Sequence, residues 1–426
     1  MIVSIAQKSI WISVSLAAAV AIGALISLQD VTISLYTGIV LVFFALAFLL
    51  SAFFHQPKVV MRIVLFGLTV RLLMLLVLKL YSYSTGLDGF FPGDVDAYAY
   101  HGDALAAIQS HSWLQALDGN LSYTVFVAFL YSLFGPDMNV PQLINAGASL
   151  LIIPLLYELG NRAGGRRAGV AAALLWSVFP SAMFWSVSLL KDGFIVLGMI
   201  LAAFFILGLN RNNLRIHEVV LGLSGVIMIG FLRPQFLLAV ALPVVFIVVR
   251  QLMSGRHHFL RNTLILVVCA GFAAATTAGD IISEALTDST SAEEVETTDE
   301  IALEGGSGIP LVTMFPPEVR WIVQFPFSVF APFPWQWFSV SQGLYVLSGA
   351  EMMVWYALYF SMWRRRRELL AGSDSKILIL YALAIFLAVS FSLPNIGSIY
   401  RYRLAALAVL LPLVLHKPFR KREGAG

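Results

Sequence analysis

Apolar runs of about 17 to 24 residues recur along this 426-residue chain, the length a helix needs to cross ~30 Å of hydrocarbon at 1.5 Å per residue. Lipid offers backbone groups no partner, so runs of this kind must fold as helices or close into barrels. Only 12% of the residues are charged and 59% are hydrophobic, where about 25% charged is ordinary for a soluble domain. The fold class that follows is an all-α polytopic membrane protein. Its first run, IWISVSLAAAVAIGALISL, follows a lone Lys8. It is expected to be a retained anchor, because it exceeds the roughly 7–15 residues of a signal h-region and a second apolar segment follows at once. The single Cys269 excludes an intramolecular disulfide.

Charge then orients the helices. No Lys or Arg occurs between Lys79 and Arg162, or between Arg261 and Arg320. Basic residues gather instead at Lys58 and Arg62, Arg162 to Arg167, Arg211 and Arg215, Arg250 to Arg261, Arg364 to Arg367, and Lys417 to Arg422. The positive-inside rule puts these clusters, and with them both termini, in the cytoplasm. Threading helices between them predicts about 12 spans, near 10–28, 31–54, 61–82, 140–159, 168–187, 193–209, 216–232, 235–250, 262–279, 343–362, 376–393 and 399–416. Two apolar segments do not fit as crossings. Residues 121–135 are about 15 long and lead to Asp137, so they are expected to be a re-entrant or half-depth helix. Residues 321–338 carry Pro326, Pro332 and Pro334, which are expected to break a regular helix into an aromatic-rich interfacial piece. The chain then reads as one integral membrane domain, 1–426, with an acidic outer loop over 83–120 and a second, flexible one over 280–320.

The outer loop carries the chemistry. In FPGDVDAYAYHGD, Pro92 and Gly93 are breakers and Asp94 is a plausible N-cap for a short helix. On that helix Asp96, Tyr100 and Asp103 share a face. Clustered carboxylates repel, which raises some of their pKa values toward that of a useful general base. Asp94 and Asp96 can alternatively present two oxygens to Mg²⁺ or Mn²⁺, with His101 nearby. A solvated surface loop gives the same composition.

The threading also brings SLLKDG (188–193), FLRPQ (231–235) and NIGSIYRYR (395–403) to the outer side. Lys191, Arg233, Arg401 and Arg403 are therefore exceptions to positive-inside, and ionisable residues in such places usually serve a function. Arginine suits a phosphate clamp through its fixed charge and forked donors; snorkelling anchors beside Tyr400 and Tyr402 give the same pattern. Trp335 or Trp337 could stack a sugar ring or wall a lipid groove. The acidic run from Asp280 to Glu304 reads as disorder. Asn120-Leu121-Ser122 is a sequon that matters only in a glycosylating compartment. There is no Gly-rich phosphate loop, zinc spacing, nucleophile elbow or internal repeat.

In their order and spacing, four segments resemble the C-type glycosyltransferase superfamily, membrane enzymes that use polyprenyl-phosphate-linked sugars, and within it the bacterial relatives of protein O-mannosyltransferases. They are GDVDAYAYHGDALA, the stretch from LFGPDMNVPQLINAGASLL to AGVAAALL, SLLKDGFIVLGMILAAFFIL, and RYRLAALAVLLPLV. The resemblance implies a helical module with the first outer loop and its juxtamembrane helices over a lipid-facing cavity. It assigns the base or metal-ligand role to Asp94 or Asp96 and the phosphate-facing arginine to Arg401 or Arg403. The large folded outer domain of the mannosyltransferases has no counterpart here, which leaves the acceptor open as glycan, lipid or protein.

Such an enzyme would move a sugar from a polyprenyl-phosphate donor to its acceptor at the outer face of a bacterial inner membrane, with inversion, in cell-envelope polysaccharide biosynthesis. Its partners would be that donor, the acceptor and membrane lipid, with no nucleic acid. Tyr100, His101, Lys191, Arg233 and Trp335 are the remaining candidates for substrate contact. Three other readings compete: an oligosaccharide polymerase or ligase acting on lipid-linked glycans, a lipid-linked saccharide transporter, and a non-catalytic assembly factor. A transporter would call for paired repeats or interrupted helices near the midplane.

Overall fold

A computed structural model of the chain describes residues 31–91, 95–110, 122–253, 315–336, 343–391 and 396–415. Among the described residues 87% are helical and none lies in a strand. The expected spans at 10–28 and 262–279, Asp94, Cys269, the sequon asparagine, Trp337 and most of the 280–320 loop lie outside the described residues.

The helices are α1 Val31–Phe53, α2 Lys58–Ser84, α3 Val95–Ser110, α4 Ser122–Phe134, α5 Asn139–Gly164, α6 Arg166–Val178, α7 Pro180–Val187, α8 Asp192–Asn210, α9 Ile216–Leu232, α10 Leu237–Met253, α11 Pro317–Phe330, α12 Gly343–Arg364, α13 Arg366–Ala371, α14 Ser373–Ser390, α15 Ile396–Tyr402 and α16 Leu404–Leu410. Six of the described helices are long and apolar enough to cross a membrane: α1, α2, α5, α8, α10 and α14. The bent pair α6–α7 would make a seventh. A count of twelve is therefore not reached among the described residues.

Three predicted elements differ in shape from what forms. The expected span 168–187 is broken at Phe179–Pro180 into α6 and α7, which meet at 56°. Pro180 sits at the first position of α7, where its missing N–H costs nothing, and it forces Phe179 out of the helical region to φ −64°, ψ 127°. The expected break at Pro326 does not occur. Helix α11 runs through that residue and stops at Phe330, where Pro332 holds Ala331 extended at φ −70°, ψ 153°. The expected final span, 399–416, divides at Arg403 into α15 and α16, followed by a tight turn over Leu411–Leu413. Backbone bonds from Arg403 N–H to the Ile399 carbonyl and from Leu407 N–H to that of Arg403, both 3.0 Å, carry the direction through the division. Helix α4, at 13 residues, is about 20 Å long, short of ~30 Å of hydrocarbon.

The chain forms two compact units, residues 1–158 with 173–197, and residues 159–172 with 198–426. In the first, α1 packs on α2, α2 on α7, and α3 lies along α4. The small buried Ala97, Ala104 and Ala107 of α3 leave room there for the buried Tyr123 and Tyr131 of α4. Arg71, fully buried in α2, is held by Ser149 Oγ, accepting from Nε at 3.1 Å and Nη2 at 2.9 Å, and by the carbonyl of Gly67 at 3.1 Å. A buried guanidinium in a span is tolerated only with such partners.

In the second unit α14 is central, contacting α10, α11 and α16. A Cβ on Gly225 of α9 would fall 2.4 Å from the Gly198 carbonyl oxygen of α8, so this crossing needs glycine. At one end, Arg211 pairs with Asp374, Asn210 Nδ2 donates to Asp374 at 2.8 Å, and Arg250 donates to Asn210 Oδ1 at 2.7 Å. These bonds knot α8, α10 and α14 together. An apolar groove of about 290 Å³ lined by Leu242, Trp321, Phe325 and Leu387 runs between α10, α11 and α14.

Candidate active site

Each unit holds one constellation of the predicted residues. In the first unit, Asp96 is half-buried in the first turn of α3. One turn on, the ring of Tyr100 lies edge-on to Tyr123 at 5.0 Å, and the Nζ of buried Lys191 lies 6.0 Å from its centroid. Tyr100 and Lys191 are thus brought together, 91 positions apart in sequence. His101 turns elsewhere: its Nδ1 lies 2.7 Å from the Tyr131 hydroxyl and its ring packs edge-on against Phe90. Burial, and then the charge of Lys79, hold the His101 pKa below 6.5. Asp103 faces solvent.

The sequence reading passed over the residue that organises this corner. Asn145 of α5 is fully buried; its Nδ2 donates to the carbonyls of Ser188 and Leu190, both at 2.7 Å, and Tyr123 hydroxyl donates to its Oδ1 at 3.3 Å. One side chain thereby fixes the turn that presents Lys191 and the buried Asp192 at the start of α8. A carboxylate is favoured there by the positive end of the helix dipole. The available signal was a lone asparagine within an apolar run.

In the second unit, the guanidinium carbon of Arg233 sits 3.5 Å from the centroid of Tyr402, and that of Arg401 lies 4.9 Å from the same ring. Arg401 also donates to the Tyr402 hydroxyl at 3.0 Å. The two predicted arginines, 168 positions apart, therefore share one tyrosine. Arg403 points differently. It is fully buried, bonds the Ala331 carbonyl at the end of α11, and lies 4.9 Å from the Tyr400 ring. Tyr400 hydroxyl donates to buried Glu351 of α12 at 2.8 Å. Trp335 is 70% exposed, stacked on Phe333 with centroids 4.6 Å apart. Among the described residues no three His, Cys, Asp or Glu side chains cluster to hold a metal ion.

Residues 121–274 match the model of the dolichyl-phosphate-mannose-protein mannosyltransferase family. The match supports a membrane glycosyltransferase of the C type. The matched stretch holds Asn145, Lys191, Asp192 and Arg233, while Asp96, Arg401 and Arg403 lie outside it. Comparison with curated proteins and with solved structures gave no match.

Proposed function

We propose that the protein transfers a sugar from a polyprenyl-phosphate donor to a hydroxyl acceptor by inverting displacement at the outer membrane face. The acceptor oxygen attacks C1 of the sugar and the C1–O bond to phosphate breaks. The electron pair of that bond leaves on the polyprenyl phosphate, and the hydroxyl proton passes to the carboxylate of Asp96 or Asp94. Arg233, Arg401 and Arg403 stabilise the charge that develops on phosphate, and Lys191 with Tyr100 holds the sugar or acceptor. No step is assigned to a metal ion.

The observation that carries this reading is unused donor capacity. Arg233 Nη1 and Arg403 Nε and Nη2 are buried and have no hydrogen-bond partner among the described residues. A buried charged donor without a partner costs about 1–3 kcal/mol or more, a penalty that an anionic ligand such as phosphate would remove. Fixed guanidiniums of this kind favour the departing phosphate, which gains a second negative charge, over the singly charged phosphodiester of the bound donor.

The test is sugar transfer by purified protein from a panel of radiolabelled polyprenyl-phosphate sugars to a cell-envelope extract, with and without chelator. Asp96→Asn and Asp94→Asn are expected to identify the base by a rate loss of about 10²–10⁴-fold in one of them. Arg233→Ala is expected to lose about 10²-fold or more. If no donor is consumed, or if all variants match wild type, the transferase reading fails.

A further inference from the structure

Helix α12 ends at Arg364, the first of four successive arginines that run on through Arg365 into the start of α13, and its last turn differs from an ordinary charged helix end. Phe360 and Trp363 are 57% and 59% exposed, and their rings stack at 25° with centroids 6.1 Å apart. The guanidinium carbon of Arg364 lies 5.8 Å from the Phe360 ring, and that of Arg366 lies 4.7 Å from the Trp363 ring. Arg365 turns inward, bonding the Ser361 hydroxyl at 3.2 Å and the Val414 carbonyl. Phe360, Ser361, Arg364 and Arg365 line a cavity of about 300 Å³.

Two exposed guanidiniums thus lie over aromatic rings beside a cavity, at the end of a long helix. Stacking occupies the face of a guanidinium and leaves in-plane N–H donors, spaced to meet two phosphate oxygens. Arg366 spends one of them on the Trp363 carbonyl at 3.1 Å. An exposed Trp ring prefers the headgroup level of a bilayer, where its apolar body meets glycerol and acyl chains, and Phe360 beside it adds apolar surface. Orientation of a helix needs only positive charge; it needs neither a stacked aromatic pair nor a cavity. Glu368 is the nearby acidic residue in sequence, exposed on α13, and among the described residues it forms no ion pair with Arg364, Arg366 or Arg367.

We propose that this end of α12 binds the phosphodiester headgroup of an acidic phospholipid, with Arg364 and Arg366 on the phosphate oxygens and Phe360 and Trp363 against the glycerol backbone. The site uses none of the residues assigned to sugar transfer, so it stands or falls separately from that function.

Native mass spectrometry of the full-length protein in a neutral detergent tests it, with phosphatidylglycerol, phosphatidylcholine of the same chains and inorganic phosphate as probes. Wild type is expected to retain phosphatidylglycerol at least tenfold better than phosphatidylcholine. The Arg364→Gln/Arg366→Gln variant should lose that preference while keeping its thermal transition. Arg364→Lys/Arg366→Lys, which keeps charge but not the planar fork, should lose several-fold. The proposal is overturned by equal retention of both lipids, by a glutamine variant that binds like wild type, by a lysine variant equal to wild type, or by inorganic phosphate that displaces the lipid at matched concentration.

Discussion

Arg71 and Ser149 illustrate how a single buried contact sets the stability of this fold. The serine hydroxyl accepts from two nitrogens of a guanidinium that no water reaches. Ser149→Ala leaves those donors short of a partner, so a loss of about 1–3 kcal/mol is expected, measured by thermal unfolding in detergent. His101 gives a prediction with a sign. Its folded-state pKa lies below the ordinary 6.5, so as pH falls the unfolded chain takes up the proton first. Stability should therefore hold above pH 6.5 and decline below it, until the folded state too is protonated. Melting temperatures at pH 7.5 and 5.5 are expected to differ for wild type, and by less in His101→Gln. Both residues show where legibility ends: Lys191, Arg233 and Arg401 stood out as charges against an apolar background, whereas the partners of Arg71, Asn145 and Ser149 come from helices far away in sequence.

At the scale of elements, boundaries marked by charge were readable. Helix α9 occupies the residues predicted for it, Ile216–Leu232, because an apolar run lies there between Arg215 and Arg233. Proline was harder to read. Pro180 ends a helix by acting on the residue before it, whereas Pro154, Pro243 and Pro326 all sit within helices. A membrane helix gives up one backbone bond at such a residue and its neighbours compensate. The close crossing of α8 and α9 makes a further prediction. A side chain at position 225 would collide with the Gly198 carbonyl, so Gly225→Val should force the helices apart. The expected cost is about 1–3 kcal/mol, or failure to accumulate, whereas Gly38→Val, which meets open space, should be tolerated.

For the whole molecule, the distribution of basic residues predicts a topology that can be tested directly. In a Cys269→Ser background, Gln109→Cys on the exposed end of α3 and Arg367→Cys beyond α12 report on opposite sides. A membrane-impermeant maleimide is expected to label the first in intact cells and the second only after permeabilisation; the reverse pattern would invert the threading. The polar knot at Asn210, Arg211, Arg250 and Asp374 also has a mechanical meaning. Three helices fastened at one extremity behave like the tines of a fork: bending stiffness is greatest at the root and displacement grows toward the tips. Leu242 and Leu387 lie away from that root, toward the beginning of α10 and the close of α14. Thermal flexing of α10 and α14 should therefore widen the apolar groove they share with α11 from its tips, giving a long hydrocarbon chain sideways entry from the bilayer while the root stays shut.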